Sequence, residues 1–213
     1  ISYYYTFGYI IGIYSKHLPY NRKYNNTISF NIHKPVVSLA SIILLYYNDI
    51  IIQKYKYRRI KMSIESVKKQ FKDEGLPLEV IEMDTSTATV ELAAAALGVE
   101  PARIAKTMAF RLKDRDILLL AKGDVKVDNR KFKDNFAEKP RFISLDDLEE
   151  ATGHPAGGVC PFGLIKLLDI YLDESLKVFD YVFPAGGGAN TAVKISVDYL
   201  AEVTKGIWVD VCK

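Results

Sequence analysis

Cysteine is nearly absent: Cys160 and Cys212 are the only two among 213 residues. They form no C-x-x-C pair and cannot make a disulfide scaffold of a chain this long, which points to a reducing compartment, the cytoplasm. Histidine is as scarce. Of three, only His154 follows residue 61, so that region has no ligand set for a multi-histidine zinc centre, and no metal or other cofactor is expected. A Ser-His-Asp triad would have to run through that same His154, and no G-x-S-x-G elbow presents a serine. Long apolar runs are missing too. The longest, residues 36–47, falls short of the ~20 that span a bilayer and ends at Asn48 and Asp49. It also lacks the charge placement and small-residue cleavage site of a secretory leader, so neither a leader nor a membrane anchor over 36–52 is expected.

Acidic side chains are missing from one end only. Residues 1–61 carry a single acid, Asp49, against nine Lys and Arg, while residues 62–213 carry 20 basic and 25 acidic residues. The overall net charge of +3 therefore averages a segment at +8 with one at −5, and by itself says nothing about nucleic acid. The first segment also holds eleven of the 14 Tyr and twelve Ile, without a sustained helical or alternating period. That bias toward Ile, Tyr, Asn and Lys is what AT-rich codons encode without selection. Residues 1–61, which begin at Ile1, are thus expected to be an N-terminal extension outside any domain, upstream sequence translated in frame; residues 62–213 are expected to form one domain.

From Met62 onward helices and strands alternate. Ile64, Val67 and Phe71 share one helical face, with Ser63 as N-cap and Gly75 as the stop. A strand at 78–83 and a polar turn at 84–87 lead to an alanine-rich helix over 90–97, ended by Gly98, and Pro101 starts a further helical turn. Strands at 105–112 and 117–121, joined by the charged turn 113–116, read as a hairpin. Asp128 caps a basic helix reaching about residue 136; 141–143 is a short strand; Ser144 caps an acidic helix over 145–151, stopped at Gly153. Strands at 168–172, 178–183, 191–195 and 207–211, and a helix at 197–204 capped by Ser196, complete the set. Such a mixture implies an α/β (α+β) fold in which helices pack on a mixed sheet with a sizeable core, to which Trp208 belongs.

Two stretches carry chemistry. The first is Gly153-His154-Pro155-Ala156-Gly157-Gly158-Val159-Cys160-Pro161-Phe162-Gly163, whose four glycines and two prolines exclude a helix interior and a regular strand. It is either a tight structural turn or a shaped loop whose free backbone N–H groups cradle an anion or a developing oxyanion. The second is Lys106, which by strand alternation shares a face with Ile104, Met108 and Phe110. An ammonium on an apolar face finds an acceptor, lowers its pKa or snorkels to water. Lys106 is either a strand-end lysine with its head in solvent or a cation waiting for an anionic ligand such as a phosphate. A cavity holding both Lys106 and the Gly157-Gly158 backbone would present a cation and fixed dipoles to one substrate.

In this order, Ala105-Lys106-Thr107 after an alanine-rich helix, Gly157-Gly158-Val159-Cys160-Pro161 as a G-x-x-x-P loop, and the turn Ala185-Gly186-Gly187-Gly188, the chain resembles the YbaK/prolyl-tRNA editing family. The resemblance covers residues 62–213. It implies a mixed sheet curved into a partly open barrel with flanking helices. It implies an enzyme, an aminoacyl-tRNA deacylase that hydrolyses the ester of a mischarged tRNA without metal or side-chain triad, acting in trans. The partners implied are the 3′ aminoacyl end of tRNA and an aminoacyl-tRNA synthetase. By position, Lys106 matches the family lysine that holds the terminal nucleotide, and Gly157 and Gly158 match the loop that positions carbonyl and water. Val159, Cys160 and Pro161 of that loop, with Gly187, Gly188 and Asn190 of the second turn, are the substrate-binding candidates. Such an ester requires orientation and oxyanion stabilisation more than a strong base. Met83 and Ala185 stand where cysteine-specific members place hydroxyl-bearing residues, which speaks against a cysteinyl substrate.

Bland readings stand beside the remaining features. Asn190 and His154 are read as a turn-capping asparagine and a surface loop histidine before they are read as donors to substrate. Lys122, Lys126, Arg130, Lys131 and Lys133 suit acceptor-stem phosphates, and a solvated helix face explains them equally. Cys160 is a nucleophile only if the loop dipoles lower its pKa. A non-catalytic module that binds tRNA ends beside a synthetase, or a hydrolase of small esters, are the alternatives.

Overall fold

In the computed structural model the described residues are 50–52, 54 and 63–213. Residues 50–52 and 54 are helical, and the expectation for 1–61 otherwise lies outside the described residues. Residues 63–73 are helical, α1, and bury Ile64, Val67 and Phe71 along one face as their spacing dictates. After it come β1 (Val80–Glu82), α2 (Val90–Leu97), a 3₁₀ turn (Pro101–Arg103) and the hairpin β2 (Ala105–Arg111) and β3 (Asp116–Lys122). Helices α3 (Asn129–Phe136) and α4 (Leu145–Thr152) precede the glycine loop. The remainder runs β4 (Asp169–Asp173), β5 (Tyr181–Val182), β6 (Thr191–Val193), β7 (Ile195–Ser196), α5 (Val197–Thr204) and β8 (Ile207–Val209).

The sheet is mixed. β2 and β3 pair antiparallel from Ala105 opposite Lys122 to Arg111 opposite Asp116, and β4 and β8 add in parallel beyond β3. Two short antiparallel ladders, β1 with β6 and β5 with β7, continue it through single bridges at Ile104–Phe183 and Ala185–Ala192. The ladders curve around the core without closing, a partly open barrel.

β3 is the centre: Ile117 to Ala121 are completely buried. Its residues alternate between two packed faces. Ile117, Leu119 and Ala121 join Phe110 and the α3 residue Phe132, while Leu118 joins Ala109 and the α4 residues Leu148 and Ala151. Leu120 and Ala105 pack with Val67, Phe71, Cys160 and Phe162, so α1 and the glycine loop lie on the face opposite α3. Trp208 packs against that core, half-buried, with the Lys177 ammonium 4.4 Å from its ring centroid.

Three expected elements differ. Residues 141–143 form one bridge, Phe142 to Phe110, because Pro140 before it and the α4 cap Ser144 after it leave no room for a ladder. The expected strand 178–183 begins late: Asp173 accepts from the Ser175 N–H and turns Glu174–Val178 into a 3₁₀ helix, leaving Tyr181–Val182 as strand. Ser63 lies within the helical residues of α1, and its hydroxyl reaches His154 and the Gly187 carbonyl instead of capping the helix. Among the described residues no helix is long and apolar enough to cross a membrane.

Candidate functional site

One cavity of about 560 Å³ opens between β2, the start of α2, the start of α4 and the glycine loop. Lys106, Thr107 and Ala109 of β2 form one wall, Ala88 and Val90 another, and Ala156, Gly157 and Val159 a third. Pro184 and Ala185 close it, and the exposed ring of Phe142 stands at its edge. Among the described residues the wall holds no aspartate, glutamate or histidine. Lys106 is its single charged side chain.

The glycine loop gains its shape from contacts only glycine permits. Gly157 has φ of 82°, and a Cβ there would sit 2.8 Å from the Ala88 Cβ. A Cβ on Gly158 would lie 2.7 Å from the Gly187 carbonyl oxygen. The two glycine turns therefore touch backbone to backbone. Within the loop Gly158 donates to the Pro155 carbonyl at 2.9 Å, while the N–H groups of Ala156, Gly157 and Val159 have no acceptor among the described residues. Three donors without partners, on residues that line one cavity, are available to a developing negative charge.

His154 anchors this loop. The expectation of a surface histidine is overturned: its side chain is fully buried, with Nε2 2.7 Å from the Phe162 carbonyl and Nδ1 2.6 Å from the Ser63 hydroxyl. Ser63 in turn lies 2.7 Å from the Gly187 carbonyl. With the imidazole proton on Nε2, facing Phe162, the single hydroxyl proton serves both Nδ1 and Gly187. One imidazole thus ties α1, the first glycine loop and the second glycine turn together. Burial pushes its pKa below 6.5 and outweighs the opposing effect of the Phe162 carbonyl.

Lys106 stands otherwise than as a cation poised over the hollow. It leaves β2 on the face of Met108 and Phe110, opposite Ala105, Thr107 and Ala109, and although it contributes to the wall, its ammonium turns to the Gly123 carbonyl at 3.0 Å and the Val125 carbonyl. These belong to the turn between β3 and α3, where carbonyls freed from the ladder meet the need of a half-buried cation for acceptors. No carboxylate pairs with it among the described residues, and one of its three N–H donors remains. Burial lowers its pKa, with Cys212, Asp124 and Asp173 pulling the other way. A desolvated cation held only by neutral carbonyls keeps its attraction for an anion.

The other candidate residues divide. Val159 lines the cavity with Gly157, whereas Gly158, Cys160, Pro161, Gly187 and Gly188 are buried behind it, where the two turns meet. Cys160 is completely buried and its thiol is pushed up to about 12 by that burial, which makes it an inert core residue. Asn190 holds its turn by donating to the Met83 carbonyl at 3.0 Å and is absent from the wall. In the basic run, Lys122 pairs with Asp124 and Lys131 with Asp210, which leaves less free charge for phosphates than the composition suggests. Sequence reasoning passed over Thr87 and Thr107. Both line the cavity, and their buried hydroxyls have no hydrogen-bond partner among the described residues.

Residues 84–203, which contain Lys106 and both glycine turns, match the family model of the aminoacyl-tRNA editing domain. The uncharacterized protein YwhH of Bacillus subtilis is 46% identical over 154 residues, 71% of this chain and 98% of that protein. A proline–tRNA ligase of Bacillus licheniformis is 32% identical over 133 residues, 60% of this chain but 23% of the ligase, so the chain is similar to one segment of that enzyme. A crystal structure of a protein proposed as a trans-editing enzyme for prolyl tRNA synthetase superposes with a TM-score of 0.67 at 29% identity, over 71% of this chain and 97% of that one. By the span of the family match, this chain belongs to the aminoacyl-tRNA editing family.

Proposed function

We propose that residues 62–213 form a trans-editing deacylase that hydrolyses the ester joining a wrong amino acid to the 3′ end of tRNA. The observation that supports this reading is one cavity lined both by Ala156, Gly157 and Val159, whose N–H groups have no acceptor among the described residues, and by the strand that bears Lys106. The acyl group enters between β2 and the loop, with its carbonyl oxygen toward those N–H groups. Water attacks the carbonyl carbon and gives up a proton to solvent, and the loop donors stabilise the oxyanion that forms. The acyl–oxygen bond then breaks, the ribose oxygen leaves and takes a proton from solvent, and the free amino acid and tRNA depart. With no carboxylate or histidine on the wall, rate enhancement comes from orientation and oxyanion stabilisation. The remaining Lys106 donor holds a phosphate or ribose oxygen of the terminal nucleotide at the edge. Alanines 88, 105 and 109 on the walls suit a small acyl group.

The same lack of a general base favours a second reading, a module that binds aminoacyl-tRNA ends beside a synthetase without turnover. The protein incubated with tRNAs mischarged with Ala, Ser, Thr and Cys separates the two. Release of at least one amino acid, lost in Lys106→Ala, supports the deacylase. Binding of every charged tRNA with no release supports the module.

A further inference from the structure

Five hydroxyl side chains line the cavity, and three of them are engaged. Thr89 accepts from the Leu92 N–H at the cap of α2, Ser144 accepts from the Asp147 N–H at the cap of α4, and Thr191 bonds to Gly186 and Gly188. Thr87 and Thr107 have no partner, and they are the two buried side-chain polar atoms in that condition among the described residues. Thr87 is 7% exposed. A buried hydroxyl without a partner is destabilising, and such groups are few in native proteins. Both falling on the walls of one cavity marks a place where a ligand supplies the missing bonds.

The chemistry of the wall narrows the ligand group. A threonine hydroxyl donates and accepts, so it pairs with a neutral group that does the same. A side chain with a charge of its own is disfavoured, because the wall offers no carboxylate and already carries Lys106, and the α-ammonium common to every aminoacyl ester does not tell one from another. A purely apolar acyl group leaves both hydroxyls unpaired. Thr107 lies on the β2 face of Ala105 and Ala109, toward the glycine loop, and Thr87 is fixed beside the second turn by its N–H bond to the Ala189 carbonyl at 2.6 Å. They therefore come from two different walls. Rotation about χ1 exchanges a threonine's hydroxyl and methyl branches, so each can turn its oxygen to a ligand without backbone movement.

Resting on the deacylase reading, we propose that Thr87 and Thr107 are specificity-determining residues that select a small acyl group bearing a hydroxyl, of the seryl or threonyl class, over alanyl. The test compares kcat/KM on one tRNA charged with Ser or with Ala, for the wild-type chain, Thr87→Val, Thr107→Val and the matching Thr→Ser variants. Valine keeps the shape and removes the hydroxyl. The expected result is a wild-type preference for seryl of about tenfold or more, the scale of one buried hydrogen bond. That preference falls by about tenfold in either Val variant and returns in the Ser variants, while thermal stability holds or rises in the Val variants. A seryl-to-alanyl ratio unchanged by both Val variants, with deacylation persisting, overturns this proposal and leaves the deacylase standing. No turnover of any ester by the wild-type chain overturns both.

Discussion

At the scale of single residues the cavity is governed by how few groups carry charge. Burial holds the Lys106 pKa below 10.5. If its ammonium holds the terminal nucleotide, deacylation corrected for spontaneous ester hydrolysis falls as pH rises through that lowered pKa. The alkaline limb should be absent in Lys106→Arg, whose guanidinium stays charged. A pH–rate profile of both proteins checks this. His154 gives the opposite dependence. Its pKa in the folded chain is below 6.5, so the unfolded chain takes up the proton first. Stability is full above about 6.5 and declines below it, by at most about 1.4 kcal/mol per pH unit, until the folded pKa is reached. Melting temperatures between pH 7 and 5 should fall, and fall less steeply in His154→Gln. Lys106 was legible in the sequence, because strand alternation puts an amine on an apolar face. Its carbonyl partners were not, since Gly123 and Val125 come from a turn whose course depends on packing. Nor was the burial of His154, since a histidine between glycine and proline reads the same at the surface as in a core.

At the scale of elements the two glycine turns act as one part. An alanine at Gly158 meets the Gly187 carbonyl, and neither is the end of a flexible side chain that can yield. Gly158→Ala should destabilise by about 1–3 kcal/mol and reduce deacylation together with stability. Thr89→Ala removes the cap of α2 and should cost about 1 kcal/mol. Denaturant unfolding checks both. The caps were readable from sequence because they are local: Asp128, Ser144 and Ser196 each accept from the N–H groups their position implies. Meetings between distant elements were not. Nothing in residues 185–188 announces that they abut Gly158 and Ser63, and so Gly187 and Gly188 were expected on the cavity wall and lie behind it.

At the scale of the whole molecule, alternation, caps and turns were enough for a mixed sheet with helices on it, because the central hairpin and the amphipathic helices have strong local periods. The way the short ladders join through bridges at Ile104 and Ala185 depends on tertiary packing alone. That arrangement brings β2 and the glycine loop, some fifty residues apart in sequence, to one cavity with two kinds of donor. Release of amino acid from mischarged tRNA under single-turnover conditions, by the full chain and by Lys106→Ala, tests the resulting assignment most directly. Hydrolysis of at least one small aminoacyl ester well above the spontaneous rate is expected, with loss of about tenfold or more in the variant when one charge-assisted contact is removed. Hydrolysis at the spontaneous rate for every acyl group, by a folded protein that still binds tRNA, would contradict it.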